Sequence, residues 1–280
     1  MFPPLALGSK ILDWKNSPYF VGILNVTPDS FSDGGKYLNM ESALKRVKEL
    51  LEEGAEIIDV GGESTRPFSD PVPEEEELKR VIPVIKAIKS EFPEAIISID
   101  TYKSKVAEEA LKAGANIVND ISALRFDPKM IEVVRDFGCP IIIMHMQGNP
   151  KTMQINPTYK DVVKEIKEFL KERIEFLVKK GIPFENIIID PGIGFGKTFS
   201  HNLQILKNLD SFKELNRPLM IGHSRKSFIG EIINKPPSLR DGGTVGVSLF
   251  AYLKGVQFLR VHKVDINKDA LSTFKFLIEN

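Results

Sequence analysis

The stretch Ile187-Ile188-Ile189-Asp190-Pro191-Gly192-Ile193-Gly194-Phe195-Gly196-Lys197 fixes the reading of the whole chain. Three consecutive β-branched residues read as a buried strand. The run then breaks at once into proline and glycine, with a carboxylate, Asp190, at the break. Glycines at 192, 194 and 196 let the backbone approach a bound molecule closely. A buried strand that ends in a carboxylate and a bare loop is the usual ligand-reading edge of a parallel α/β protein. Two glycine motifs are excluded by position. A phosphate-binding P-loop needs glycine where Pro191 stands, and a dinucleotide fingerprint needs its third glycine where Lys197 stands. A plain glycine-rich turn with a capping Asp is the alternative. It loses ground because the same pattern recurs along the chain.

The chain has 280 residues, 42% of them apolar and 27% charged, with 38 basic and 38 acidic side chains. The balanced charge argues against nucleic acid or an anionic membrane as partner. Cys139 is the only cysteine, so no internal disulfide can form and a reducing compartment fits. It reads as a small core filler. The start, Met1-Phe2-Pro3-Pro4, predicts no signal peptide, and no apolar run is long enough to span a bilayer. A cytoplasmic enzyme is expected.

In order, residues 1–18 read as a short lid or plug over one end. Strands are predicted at Tyr19–Val26, Glu56–Val60, Ala95–Ile99, Ile117–Val118, Pro140–Met144, Ile187–Ile189, Arg217–Gly222 and Val256–Val261. Helices are predicted over Glu41–Glu53, Glu74–Ser90, Lys103–Ala113, Pro128–Phe137, Tyr159–Lys180, His201–Asn208, Gly242–Lys254 (buried on composition) and Ile266–Ile278, several of them stopped by glycine. The acidic run Glu74–Glu77 reads as structural, favouring a helix N-terminus. Eight strands alternating with helices match a single (β/α)₈ TIM barrel of about 250 residues, with a doubly wound open sheet as the alternative. No linker or composition shift divides residues 1–280, so one domain is expected.

In such a barrel the C-terminal strand ends share one face, where sites lie. The residues there are Asn25, Thr65, Asp100, Asn119, His145, Asp190, Ser224, Lys226, Arg260 and His262. Asp100, Asn119 and Asp190, with Lys226, suit a flat heterocycle carrying several N–H groups. The bland alternative pairs the two carboxylates with Lys226 and Arg225. Arg66, Arg260 and His262 suit a phosphate or diphosphate. Asn25 offers an oxygen to Mg²⁺, which takes few protein ligands when phosphates supply the rest, or else it caps a turn. The four histidines show no zinc spacing, and His145 and His223 read as satisfied core groups.

The motifs Asn25-Val26-Thr27-Pro28-Asp29-Ser30-Phe31-Ser32-Asp33-Gly34-Gly35, Gly61-Gly62-Glu63-Ser64-Thr65-Arg66-Pro67, Met144-His145-Met146-Gln147-Gly148, Asp190 to Lys197, Ser224-Arg225-Lys226 and Arg260-Val261-His262 resemble, in order, those of dihydropteroate synthases. The likeness runs from about Val21 to Val264. It implies a TIM barrel that joins 6-hydroxymethyl-7,8-dihydropterin diphosphate to 4-aminobenzoate, giving 7,8-dihydropteroate and diphosphate, and that is a target of sulfonamides. By that resemblance Asp100, Asn119, Asp190 and Lys226 hold the pterin. Asn25 contacts Mg²⁺. Arg66, Arg260 and His262 take the diphosphate. Thr65, Pro67, Phe195, Ser224 and Lys226 surround the aminobenzoate, and Met144 and Gly222 complete the substrate contacts. Catalysis would fall to Asp100, Asp190, Lys226 and Arg260, through early C–O cleavage to a pterin cation. A homodimer follows by family analogy alone. Phe68 departs from the pattern, since glycine is common there, as do His223 and Lys263. The loops 27–37 and 62–73 are expected to close over the site. Two rivals share the barrel, a pterin-dependent methyltransferase acting on a corrinoid and a non-catalytic pterin-binding homologue. Neither needs the anion cluster.

Overall fold

The computed structural model describes residues 2–8, 10–15, 18–27, 36–65 and 68–279, the backbone alone for 36–39. A hairpin, β1 (Leu5–Leu7) and β2 (Lys10–Leu12), precedes the alternating part. That part runs β3 (Tyr19–Asn25), α1 (Lys36–Glu52), β4 (Ile57–Gly61), α2 (Glu74–Glu91), β5 (Ile97–Asp100), α3 (Ser104–Lys112), β6 (Ile117–Asp120), α4 (Met130–Phe137), β7 (Ile141–Met144), α5 (Val162–Lys179), β8 (Ile187–Asp190), α6 (Phe199–Lys207), β9 (Met220–Ile221), α7 (Ser227–Ile233), α8 (Asp241–Leu253), β10 (Phe258–Val261) and α9 (Val264–Glu279).

Eight parallel strands lie in the order β8-β7-β6-β5-β4-β3-β10-β9. A parallel bridge between Ile189 and Leu219, with the Ile189 amide donating to the Pro218 carbonyl at 2.9 Å, joins the two ends. The sheet is therefore a closed barrel, and the open-sheet alternative falls. The apolar runs are buried on both faces, which explains why β8 reads as continuous isoleucine rather than as an alternation. Ile58 and Val60, Ile97 and Ile99, Ile141 and Ile143, and Ile187 and Ile189 pack outward against the helices in one cluster. Ile57, Ile96, Ile142, Ile188, Met220 and Phe258 form a second cluster on the barrel axis. Leu5, Leu7 and Leu12 of the hairpin pack into that axial cluster, closing the N-terminal end of the barrel.

One step further along each strand the axial positions turn polar. Asp59 follows Ile57, Asn119 follows Ile117, Asp190 follows Ile188 and Arg260 follows Phe258. The strand period of two places these side chains on the same face as the apolar plug beneath them. The plug is the floor, and the polar layer above it is the site.

Several elements differ from expectation. The seventh strand is only Met220–Ile221, since Pro218 has no amide to give the ladder. Helix α7 was not predicted; its seven residues are too few for a clear period. Helix α5 starts three residues later than expected, where the Asp161 side chain accepts from the Lys164 amide. Helix α8 is not buried all round. It turns Thr244, Ser248 and Ala251 inward, while Leu253 is 58% exposed.

Candidate active site

The mouth of the barrel holds a cleft open to solvent, lined by Thr65, Asp100, Asn119, Ile121, Met144, Asp190, Gly192, Ile193, Phe195, Met220, Gly222, Lys226 and Arg260. Each comes from the C-terminal end of a strand or the loop after it. Nine residues singled out from the sequence (Thr65, Asp100, Asn119, Met144, Asp190, Phe195, Gly222, Lys226 and Arg260) meet there. Ser224 and His262 sit beside it, joined by a 2.9 Å contact between Ser224 Oγ and His262 Nδ1. Asn25 is half-buried at the end of β3. Arg66, Pro67 and residues 28–35 lie outside the described residues, and with them the expected closure of the first loop.

The carboxylates are buried and their ionisation is suppressed. Burial pushes Asp190 up to about 6, with Gly192, Lys226, Lys197 and Arg260 pulling the other way. Asp100 is raised as well, by burial and by the neighbouring Asp59, with Arg260 opposing. Lys226 is brought down to about 8, by burial first and then by Arg260. Arg260 is raised, because Asp59 and Asp100 more than offset its burial. Buried acids and bases that perturb one another in a cleft mark it as a candidate site.

Arg260 does not stand apart with the anion group. Its Nε donates to Asp59 Oδ2 at 2.6 Å and its Nη2 to Asp100 Oδ2 at 2.9 Å. It therefore ties the acidic bed to the anion side, and the two groups drawn from side-chain chemistry share one guanidinium. Asp59 was missed from the sequence. It is fully buried in β4, and Asn119 Nδ2 reaches its Oδ2 at 3.3 Å. A lone carboxylate inside the run Ile57-Ile58-Asp59-Val60 was the available signal.

The bland network of Asp100 and Asp190 with Lys226 and Arg225 does not form as drawn. Arg225 bonds Asp241 through Nε and Nη2 at 2.6 and 2.8 Å. Lys226 Nζ instead stands 4.2 Å from the centre of the Phe195 ring. His145 does not face the cleft. It is buried against Phe169, with Nδ1 3.1 Å from Lys197 Nζ. Burial holds it down to about 2, so it stays neutral. His223 is fully buried with Nε2 2.8 Å from Ser248 Oγ.

The β8 loop folds tightly over the neighbouring β7 loop. Gly192 has φ +70°, and a Cβ there would sit 2.0 Å from the His145 carbonyl oxygen. Only glycine fits. The second loop is anchored at its base: Glu63 accepts from the Val72 amide at 3.0 Å and from the Tyr102 hydroxyl at 2.7 Å, and pairs with Lys103. Phe68 in that loop adopts φ +65°, the left-handed region that glycine fills without strain.

The fold and site thus define a (β/α)₈ protein whose strand-end cleft brings two carboxylates together with Lys226 and Arg260. The family model described as pterin binding enzyme matches residues 21–262. Dihydropteroate synthase of Haemophilus influenzae is 45% identical over 271 residues, covering 97% of this chain and 98% of the relative. A crystal structure of Yersinia pestis dihydropteroate synthase with a sulfonamide drug superposes with TM-score 0.93 at 41% identity, covering 99% of this chain and 100% of the other. The Xanthomonas albilineans enzyme with 4-aminobenzoic acid gives 0.92 at 42%, covering 99% and 98%. The chain belongs to the pterin-binding enzyme family, in its dihydropteroate synthase branch.

Proposed function

We propose that this chain joins 6-hydroxymethyl-7,8-dihydropterin diphosphate to 4-aminobenzoate, and that the C–O bond breaks before the C–N bond forms. The convergence of Asp100, Asn119, Asp190, Lys226 and Arg260 in one cleft carries the reading. The pterin ring edge would donate to Asp100 and Asp190 and exchange hydrogen bonds with the Asn119 amide. As the methylene C–O bond breaks, its electron pair leaves with the diphosphate and positive charge spreads into the ring. Two carboxylates that burial makes costly to ionise are stabilised most when that charge develops, which is differential binding of the transition state. The arylamine nitrogen then attacks the methylene carbon, and one N–H proton is lost to solvent.

Arg66, Arg260 and His262 would hold the departing diphosphate. Mg²⁺ would supply neutralising charge there. Among the described residues no cluster of three His, Cys, Asp or Glu could cage a metal, so the fit is to an ion carried largely by phosphate oxygens, with Asn25 as a protein ligand. Thr65, Pro67, Phe195, Ser224 and Lys226 would surround the aminobenzoate, and sulfonamides would compete for that surface.

We place the chain in the cytoplasm as a homodimer. Among the described residues no helix is long and apolar enough to cross a membrane, and Cys139 is buried as a free thiol. Leu253 on α8 and Phe276 and Leu277 on α9 are exposed apolar side chains that a second copy would cover. Light scattering at twice the chain mass supports the dimer, and a monomer refutes it.

The test of function is product formation from the pterin diphosphate with Mg²⁺, with and without 4-aminobenzoate. The expected result is equimolar dihydropteroate and diphosphate, slower diphosphate release without the amine, and loss of both on chelation. Diphosphate release that never yields dihydropteroate overturns the reading.

A further inference from the structure

Three successive backbone carbonyls in the β8 loop are each taken by a side-chain donor. Gln154 Nε2 donates to the Gly194 carbonyl at 2.9 Å. Lys197 Nζ donates to the Phe195 carbonyl at 2.8 Å. The Tyr159 hydroxyl donates to the Gly196 carbonyl at 2.8 Å. Gln154 and Tyr159 come from the segment between β7 and α5 and are not among the residues that line the cleft. Three consecutive carbonyls held in this way fix the peptide planes on both sides of Phe195, and so fix where its ring stands.

Lys197 is the deepest of the three, 2% exposed, and among the described residues no carboxylate is bonded to it. Its Nζ also lies 3.3 Å from the His145 carbonyl and 3.1 Å from His145 Nδ1. Burial lowers its pKa, and the clamp holds in either charge state. An ammonium gives three donors for the three acceptors. A neutral amine gives two donors to the carbonyls and accepts from the Nδ1–H tautomer of His145. The β7 and β8 loops are thus bolted together through a polar group inside an apolar wall, where a lost partner is costly.

We infer that Gln154, Tyr159 and Lys197 are positioning residues which set the Phe195 ring for the aromatic amine substrate. The inference rests on the reading of Phe195 as part of the aminobenzoate surface. None of the three is among the residues that line the cleft. Each acts through the backbone of the loop that carries the ring, and the ring also fixes the Lys226 ammonium 4.2 Å from its centre.

The experiment compares Tyr159→Phe, Gln154→Ala, Lys197→Met and Phe195→Ala in steady-state assays with the pterin diphosphate and 4-aminobenzoate, with free pterin affinity measured separately. Each positioning variant should raise KM for 4-aminobenzoate about fivefold, the worth of one lost hydrogen bond. The Tyr159→Phe, Gln154→Ala double variant should raise it further. Turnover at saturating amine and pterin affinity should stay within about twofold. General loosening of the fold would instead raise KM and lower turnover and pterin affinity together, and that result overturns the inference. Unchanged KM in Tyr159→Phe and Gln154→Ala overturns it too, whether or not Lys197→Met folds. If Phe195→Ala raises KM and the others do not, the positioning role alone fails. If Phe195→Ala has no effect, the reading of Phe195 fails and the positioning role with it.

Discussion

Arg260 and Asp59 stand 201 residues apart in sequence and share a 2.6 Å ion pair in the polar layer above the apolar plug. Asp59 is fully buried, while the Arg260 side chain is 20% exposed. The arginine is thus held by Asp59 and Asp100 together, and it lines the cleft. Replacing Asp59 by Asn leaves that guanidinium without its buried counter-charge. Breaking such a pair costs about 3 kcal/mol or more. A lower thermal midpoint and at least tenfold slower dihydropteroate formation are expected. Unchanged turnover with a lowered midpoint would show that Asp59 serves stability only.

The site should titrate from both sides. The working form has Asp190 ionised and Lys226 protonated. With Asp190 at about 6 and Lys226 at about 8, kcat/KM for the pterin substrate should rise through the lower value and fall through the upper one. A rate profile flat from pH 5 to pH 9 would contradict these assignments.

Asp190→Asn should weaken pterin binding by about 2 kcal/mol, roughly thirtyfold, the worth of a charge-assisted hydrogen bond. The fold should survive, because the amide is isosteric. The linkage has a definite sign. Asp190 has a folded pKa above its unfolded value of 3.8, so the folded state holds the proton longer. The ionised form is costly to bury, and its contribution to stability falls as pH rises from about 4 to about 6. Denaturant titrations should show that segment of the slope in the native chain and not in the Asn variant. Undiminished pterin affinity refutes the assigned role.

Phe68 holds φ +65° with its side chain 65% exposed. Phe68→Gly should remove about 1 kcal/mol of backbone strain and lose little burial. A raised thermal midpoint is the expected outcome. The Phe68 amide donates to the Pro150 carbonyl at 3.1 Å, and glycine keeps that bond. A lowered midpoint would show that the ring itself contributes to the loop.

The fold was legible because local rules agree with one another. Alternating strands and helices, glycines past helix ends, and carboxylates and amides where strands stop all point to one barrel. Asp100, Asn119, Asp190 and Lys226 could be named from sequence because a strand end is visible in sequence, and in a parallel barrel all strand ends share one face. Helix α8 misled, since small and apolar residues look alike whether they face a barrel or open surface. His145 misled too. It lies one residue past β7, at a strand end, yet its ring turns away from the cleft to Lys197.

The sequence by itself determined the barrel and its polar rim, since the alternation of elements and the residues at strand ends are both written along the chain. Only the tertiary structure decided that Arg260 answers to Asp59, that Lys226 rests on Phe195, and that Gln154, Tyr159 and Lys197 hold the loop between them. Those pairings join residues far apart in the chain through side-chain geometry, and which buried charge meets which is settled only when the barrel closes.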